Sequence, residues 1–474
     1  MKKYIRLILL FGILIFSANS CKKFTDGYRY DPNGIRNTTS GHVMLATMLA
    51  NQFFHKADGM RLAMMWMNQA TGVDRQYKIL DNWNNAELKD FNGPWSEAYK
   101  VIGNAKLLEE MTTEENNLLT RGIAKLYRAW AGGQAASLWG DVPFSQAGDR
   151  ENKNPVYDAQ TDVFNQAQAL LDEAIDDLNS GTGEIKEKKD IYFGGNVNNW
   201  IKIAHGIKAR LYLHAKDYPN ALNEALLGPS SVDDDLYAIY DSSDDASWGQ
   251  YNPTYQFLIQ RGGDFDASDA FAPQLFNSRA NTKTDEFYRK SYNYSGDQLS
   301  TDFSVNVLNG RDKYGKFYGS MPLITYAEML LIATEATLRT TSNIDDALVY
   351  YNQYRNLLHN GEYMGNFNEY GPYSYDPYVA SDFDNGGMEN PDGIDPKSAF
   401  LREIFEERYL FFIGDYEAFI DHARSFNDPM VPQYMELQDY DDEPLRFIYP
   451  ETEENANSNY PGTVDIIVPL PIYN

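Results

Sequence analysis

Aromatic rings beside amide and guanidinium groups are the most visible chemistry in this sequence. Residues 74–85 read DRQYKILDNWNN, in which Trp83 follows Asn82, and Arg75 and Tyr77 stand a few positions earlier. Rings cover the apolar C–H faces of sugars, while planar polar groups pair with hydroxyl groups. The segment lies between a methionine-rich apolar run and a helical pattern, which predicts an exposed loop. Trp83 is then either a sugar platform or a ring that packs this loop onto the body.

Three segments of the second half have a similar mixture of rings and polar groups. Each could serve packing alone, and we expect at least one of them to contact a ligand. Two or three stacked rings with hydrogen bonds, less the cost of association, give roughly micromolar to millimolar affinity. The candidate residues here are Trp248, Tyr251, Tyr292 and Arg311, to which Asp31 and Asn33 of an early YDPNG turn are added.

Patterns for catalysis are missing from the sequence. It contains no G-x-S-x-G elbow, no phosphate-binding loop and no H-E-x-x-H motif. His205 and His214 lie nine residues apart on a predicted helix, a separation of more than two turns, and we expect packed or solvated side chains there. Carboxylate pairs of the kind a glycosidase needs carry no signal among 68 acidic residues. We predict no catalytic residue and no cofactor.

One acidic segment raises the question of calcium. Asp264, Asp266 and Asp269 place hard oxygen ligands at close spacing. The glycine and the terminal glutamate of an EF-hand loop are missing, so a solvated acidic loop is the alternative to a Ca²⁺ site. No metal ligand is therefore assigned.

The N-terminus has the layout of an export signal. Residues 1–20 combine a basic start, an apolar core too short to span a bilayer, and a small or polar approach to Cys21. Cys21 is the single cysteine of 474 residues, so no disulfide can form within the chain. A cysteine at this position is typical of bacterial lipoproteins, in which two or more acyl chains anchor the protein stably. We expect residues 1–20 to be removed and Cys21 to carry the lipid.

The charge is strongly acidic. The whole chain has a formal net charge of −27, and the expected mature part has −30 because the signal contributes three basic residues. Such a charge repels phosphate backbones and argues against a nucleic-acid partner. An aromatic content of 14%, led by 35 tyrosines, predicts a globular chain with many rings that have one polar edge in water.

Helical periodicity dominates the segments that must position these residues. Apolar residues recur at three- and four-residue steps in 95–111, 119–140 and 161–178. Residues 200–227 and 324–358 each predict a helix pair, broken at 217–220 and around 341–343. The size of these units is close to the tetratricopeptide period of 34 residues. Trp66, in an apolar run, and Trp139 are predicted to belong to the core and the scaffold.

Other segments lack sustained periodicity. Residues 233–319 and 362–396 are rich in turn-forming residues, a helix is expected over 399–426, and the tail from 439 is irregular. Their aromatic content favours ordered loops over disordered ones. The predicted fold class is therefore mainly α: tetratricopeptide-like helix pairs form a scaffold with a large loop-rich second half.

Several blocks, taken in order, resemble the SusD/RagB family of nutrient-binding lipoproteins of Bacteroidetes. The resemblance covers nearly the whole chain, and Cys21 stands where the family has its lipid. Two segments depart from the family pattern: residues 22–24 lack an acidic cluster linked to surface export, and 411–415 are less polar than usual. The matching blocks are residues 95–105 (WSEAY…NA), 127–129 (YRA), 138–144 (LWGDVPF), 204–213 (with KARL), 326–336 (YAEMLL…EA), 407–408 (ER) and 445–455 (LRFIYPE…N).

The resemblance implies a SusD-like fold and a partner. Residues 21–474 would form one domain, with the scaffold at about 40–228 and 320–360, ligand-facing insertions at about 229–319 and 360–398, and a C-terminal helix and irregular tail at 399–474. It also implies a lipid-anchored cell-surface protein of the outer membrane that binds oligosaccharide or polysaccharide. The bound glycan would pass to a SusC-like TonB-dependent transporter. Peptide capture and a lipid-anchored glycoside hydrolase are the alternatives.

Overall fold

The fold is described from a computed structural model of the chain. The structure describes residues 38–149, 151–240, 251–261, 263–267, 269–295, 298–299, 319–364, 371–438, 440 and 442–473. Five residues singled out by the sequence lie outside these ranges, namely Cys21, Asp31, Asn33, Trp248 and Arg311.

Helices make up most of the first half, as the periodicity predicts. Some of them begin at polar caps: Asn117 accepts a hydrogen bond from Thr120 N at the start of one helix, and Asp217 accepts one from Asn220 N at another. The helices are α1 (Ser40–Lys56), α2 (Asp58–Trp66), α3 (Arg75–Leu80), α4 (Asn92–Glu114), α5 (Leu118–Trp139), α6 (Gln160–Asn179), α7 (Val197–His214) and α8 (Tyr218–Ala225).

The described part of the second half contains three further long helices, of 16 residues each, and several short elements. The helices are α9 (Pro253–Gln260), α10 (Phe271–Ser278), α11 (Phe287–Asn293), α12 (Tyr326–Thr341), α13 (Ile344–His359), α14 (Pro396–Phe411), α15 (Glu417–Ser425) and α16 (Glu451–Ala456). The strands are β1 (Thr71–Gly72), β2 (Leu236–Ala238), β3 (Phe265–Asp266), β4 (Tyr294–Ser295), β5 (Gln298–Leu299) and β6 (Met321–Ile324). They form three antiparallel pairs, β1 with β3, β2 with β6 and β4 with β5.

The long helices form one continuous array. α1 packs against α4, and each of α4 to α7 packs against the next helix in the chain. α8 then contacts α12, which pairs with α13, so the array continues across the irregular insertion. Gly133 of α5 allows close packing, since a Cβ there would lie 2.6 Å from Leu211 Cδ1 of α7. The predicted class, mainly α with a helix-pair scaffold, is confirmed.

Two expectations about the helices are wrong. The single helix expected over 399–426 is two helices, because the chain turns at 412–416, where Gly414 has a φ of +74°. The region 233–319 also contains α9, α10 and α11. Each has only seven or eight residues, too few for a helical period to stand out in the sequence, and packing rather than propensity stabilises such short helices.

Charged residues of the family-like blocks lie inside the helix array. Arg210 of α7 donates through Nε to Glu328 Oε1 of α12 at 2.6 Å, and Arg424 Nη2 donates to Glu335 Oε2 at 2.6 Å. All are nearly inaccessible to solvent, so each charge depends on its partner. The buried ion pairs continue from one helix to the next through Glu328, Arg210, Glu417, Arg408, Asp421, Arg424 and Glu335.

Two distant blocks of the resemblance contact each other. Trp139 Nε1 donates to Ile448 O at 3.0 Å, and Tyr449 OH donates to Asp141 O at 2.7 Å. Phe447 N donates to Leu138 O at 2.8 Å, which joins the C-terminal tail to the end of α5. Trp139 is therefore scaffold, as predicted, and Trp66 is likewise fully buried in the core.

No helix within the described ranges is both long and apolar enough to cross a membrane.

Candidate ligand-binding site

Arg75 is held at the surface by a buried carboxylate. It begins α3 with a φ of +51°, in the left-handed region that residues other than glycine seldom adopt. Its side chain is 58% exposed, and Nη1 lies 3.0 Å from Oδ1 of the buried Asp264. Arg261 Nε donates to Asp264 Oδ2 at 2.9 Å. We call Arg75, Asp264 and Arg261 the Arg75 corner. Its ion pairs hold the planar guanidinium group of Arg75 at a fixed position on the surface.

The pairing of β1 with β3 brings this corner together. Thr71 pairs with Asp266 and Gly72 with Phe265, which places residues 264–266 beside the start of α3. Gly72 N also donates to Asp81 Oδ1 at 2.7 Å. Burial raises the pKa of Asp81 to about 6; the nearby Asp266 adds to this rise, and the hydrogen bond from Gly72 opposes it.

Of the two roles that the sequence leaves open for Trp83, the structure shows the packing role and not the exposed sugar platform. Its side chain is 1% exposed, and its Nε1 donates to Asp442 Oδ1 at 2.9 Å. The edge of the ring meets Tyr440, with centroids 4.8 Å apart and an angle of 89°. The platform alternative is therefore wrong, and Trp83 as a ligand-contacting residue is corrected, because a segment from the far end of the chain covers the ring.

Tyr77 is also buried, contrary to the expectation of an exposed loop. Its ring meets Phe257 of α9 edge-on, with centroids 4.8 Å apart, and also contacts Phe265. Tyr77 and Trp83 thus hold the loop in place through buried contacts with α9 and the C-terminal tail. Asn82 is half-buried and accepts a hydrogen bond from Asn84 N at 3.0 Å, so it shapes the turn around Trp83.

Tyr251 lies on the segment that Tyr77 contacts. It is half-buried, and its ring is perpendicular to that of Tyr255 in α9, with centroids 5.9 Å apart. α9 packs through Phe257 against Tyr77, so the structure brings the predicted residue Tyr251 into the same region as the 74–83 loop.

α11 buries two polar side chains and exposes an aromatic ring. Arg289 and Asn293 are buried, and Arg289 Nη1 lies 2.9 Å from Glu407 Oε2. Phe287 is 61% exposed, while Tyr288 and Tyr292 are half-buried and pack in part against the hydrophobic core. This reverses the usual amphipathic pattern, in which apolar residues face the core. We call Phe287, Tyr288 and Tyr292 the aromatic face.

A narrow slot runs beside Tyr292. Tyr237, Tyr363 and Pro322 line it with Tyr292, and its volume of about 30 Å³ is too small for a sugar ring. Behind it, Tyr363 OH donates to Asp235 Oδ2 at 2.8 Å. Burial raises the pKa of Asp235 to about 7, although this hydrogen bond and one from Tyr326 N oppose the rise. The tyrosines that line the slot place polar groups beside the aromatic face.

The side chains considered for metal binding have other contacts. Asp264 is engaged by two arginines at the Arg75 corner, which disfavours the Ca²⁺ site considered from sequence. His205 lies 2.7 Å from Glu224, and His214 lies 2.8 Å from Ser137 and 2.7 Å from Glu417. The described part of the chain contains no cluster of three or more His, Cys, Asp or Glu side chains that could hold a metal ion.

The predicted residues therefore divide into three groups. Arg75, Asn82 and Tyr251 lie in one region, Tyr292 lies on the aromatic face, and Tyr77 and Trp83 are buried. Phe287, Tyr237 and Tyr363 were not predicted. Arg289 and Asn293 lie four positions apart, on one side of a helix, and this spacing is visible in the sequence. Their burial, which turns Phe287 outward, is visible only in the structure.

The fold and this surface define a class: helical-repeat proteins whose irregular insertions carry aromatic and polar groups. Residues 33–450 match the family model SusD-like, described as starch-binding and associating with the outer membrane. The chain belongs to this SusD-like family, whose description is that of a binding protein. No curated protein sequence matches the chain.

Solved structures share the fold. A SusD/RagB family protein from Bacteroides thetaiotaomicron is 22% identical with a TM-score of 0.64, covering 89% of this chain and 95% of that one. A SusD homologue from Bacteroides uniformis is 19% identical with a TM-score of 0.65, covering 92% and 100%. A chitin-binding SusD homologue from Flavobacterium johnsoniae is 16% identical with a TM-score of 0.61, covering 91% and 98%.

Proposed function

We propose that this chain is a cell-surface lipoprotein that binds oligosaccharide or polysaccharide and delivers it to a SusC-like TonB-dependent transporter. The observation that carries the proposal is the reversed arrangement of α11, which exposes Phe287 while Arg289 is buried. An exposed ring beside two half-buried tyrosines suits the C–H faces and hydroxyl groups of sugars. Membership of a family described as starch-binding supports the same ligand class.

Within this proposal the residues have different roles. Phe287, Tyr288 and Tyr292 stack on sugar rings, and Arg75 with Asn82 and Tyr251 supplies further contacts. Tyr77 and Trp83 hold the loop that carries Arg75. The insertions at 229–319 and 360–398 are proposed to face the ligand, and Asp31, Asn33, Trp248 and Arg311 stay predictions outside the described residues.

The proposed placement follows from the N-terminal sequence and the family description. Association with the outer membrane is part of that description. Acylation of Cys21 would anchor the chain there and leave its acidic body outside the bilayer. The transporter is the partner that a bound glycan would require to enter the cell.

Affinity electrophoresis of the full-length chain through gels containing single polysaccharides tests the ligand class. We expect at least one neutral polysaccharide, such as starch or soluble chitin, to retard the chain. The detergent must lack a sugar headgroup, since such a headgroup would compete for the site. No retardation by any glycan, together with binding of peptides, would contradict the proposal in favour of peptide capture.

The hydrolase alternative is separated by product analysis. The same polysaccharides are incubated with the chain, and the soluble products are measured over a day. We expect the polymers to stay intact, because a delivery protein must release its ligand unchanged. Turnover abolished by replacing one carboxylate would establish a hydrolase instead.

A further inference from the structure

A second concave site lies at the C-terminal end of α15, away from the aromatic face. Its volume is about 320 Å³, which is within the range of small-molecule pockets. Phe426, Val431, Pro432 and Met435 contribute apolar walls, and the ring of Phe426 is 42% exposed. The walls therefore offer one accessible aromatic face and an apolar lining.

A buried imidazole lines the floor of this cavity. His422 is 6% exposed, and its Nε2 has no hydrogen-bond partner among the described residues. Glu443 Oε2 lies 3.3 Å from Nε2, outside hydrogen-bond geometry, and the Glu443 side chain is 46% exposed at the rim. Burial lowers the pKa of His422 to about 4, so the ring is neutral near pH 7 and can exchange a hydrogen bond with a hydroxyl group. A buried polar atom without a partner is costly, which favours a ligand that supplies one.

Trp83 positions the wall that carries Glu443. The neighbouring Asp442 Oδ1 accepts hydrogen bonds from Trp83 Nε1 at 2.9 Å and from Asn84 Nδ2 at 2.8 Å. Asn68 Nδ2 donates to Glu436 O at 2.8 Å on the same segment. These contacts fix the backbone on both sides of the wall, so the cavity is held open by distant parts of the chain.

We infer that this cavity binds a single neutral sugar ring, such as the end of a glycan chain, with its C–H face on Phe426 and its hydroxyl groups on His422 and Glu443. The inference rests on the proposed function, since it takes the same ligand class. It adds a second, terminal-residue site to the extended aromatic face. A carboxylate and a neutral nitrogen on one side and a ring on the other form the combination that a pyranose requires.

The test uses the full-length chain labelled with ¹³C at the methionine methyl groups. D-glucose and N-acetylglucosamine are titrated separately, with maltohexaose and chitohexaose as long probes. Met435 lines the cavity, whereas Met64 is buried in the core and serves as the internal reference. We expect one monosaccharide to shift the Met435 signal and leave the Met64 signal in place. Met435→Leu assigns the signal.

Two variants avoid the risk of unfolding, because both side chains are partly exposed. Phe426→Ala and Glu443→Gln should each weaken monosaccharide binding at least fivefold. Phe53→Ala, at an exposed ring of α1 that belongs neither to the cavity nor to the aromatic face, is the matched control and should leave monosaccharide binding within twofold. Full binding by both cavity variants, or a Met435 signal that does not move while hexasaccharides bind, would overturn the cavity site and leave the proposed function standing. Failure of every glycan to bind the wild-type chain would overturn both.

Discussion

The indole nitrogen of Trp83 donates to Asp442 across 359 residues of sequence. The ring of Trp83, which the sequence offers as a ligand contact, thus connects the 74–85 loop to the C-terminal tail inside the protein. Its hydrogen bond, its edge contact with Tyr440 and its burial have one consequence for the molecule. The loop that carries Arg75 and the wall that carries Glu443 are positioned by the same side chain.

Replacing Trp83 should therefore cost stability. Trp83→Ala removes a buried ring and is expected to lower the free energy of unfolding by about 3–5 kcal/mol. Trp83→Phe keeps most of the packing but removes the donor to Asp442, and the expected loss is about 1–2 kcal/mol. Urea denaturation followed by circular dichroism measures both values. Gln76→Ala, at an exposed position of the same loop, is the control, and equal stability of all four proteins would show that Trp83 does not hold the loop and the tail together.

The buried pair of Glu335 and Arg424 should make the fold sensitive to acid. Burial alone would raise the pKa of Glu335, but the charges of Arg424 and Arg339 outweigh it and lower the pKa to about 2. Because this value lies below the ordinary 4.5 of an unfolded chain, the stabilisation is complete above pH 4.5 and is lost as the pH falls towards 2.

Glu335→Gln tests this pair. At pH 7 the variant should be less stable than the wild type by about 3–5 kcal/mol, because it leaves a buried guanidinium without its charge partner. The difference should shrink between pH 4.5 and pH 2.5, as the wild type loses the same interaction. Thermal melting across this range measures the effect, with Glu110→Gln on the exposed side of α4 as the control. A difference that does not change with pH would contradict the assignment.

Asp81 should have the opposite pH dependence. Its pKa is raised to about 6, chiefly by burial, against an ordinary value of 3.8. The folded chain therefore holds this proton more tightly than the unfolded one, and the wild type loses stability as the pH rises from 4 through 6.

Asp81→Asn removes this ionisation and keeps an acceptor for Gly72 N. The variant should match the wild type at pH 4 and exceed its unfolding free energy by roughly 1–3 kcal/mol at pH 8. Chemical denaturation at the two pH values gives the comparison, and Asp74→Asn, exposed at the start of the same loop, is the control. A variant that is less stable than the wild type at pH 8 would show that the carboxylate is needed in its charged form.

The sequence predicted the scaffold well because its helices are long and strongly periodic. Apolar residues of 161–178 recur at helical steps, and α6 (Gln160–Asn179) has the expected extent. Polar caps such as Asp217 also fixed where helices begin. These signals are local, so they are present in the sequence without any knowledge of the fold.

The site could not be predicted in the same way, because its exposure depends on distant contacts. Trp83 and its asparagine neighbours have the same local sequence whether or not Asp442 covers the ring. Phe287 faces outward because Arg289 is drawn inward by Glu407, 118 residues later. Contacts between residues so far apart in the chain produce no periodic pattern that a single sequence could show.

The most direct test of glycan binding at the aromatic face is isothermal titration calorimetry of the wild-type chain and the double variant Phe287→Ala/Tyr292→Ala. The titrant is the oligosaccharide unit of whichever polysaccharide retards the chain in affinity electrophoresis. We expect the double variant to bind at least tenfold more weakly, as the loss of two stacking rings at roughly 1 kcal/mol each implies, and to stay fully folded at the temperature of the titration. Wild-type affinity in the double variant would contradict the assignment of this face as the site that holds the glycan.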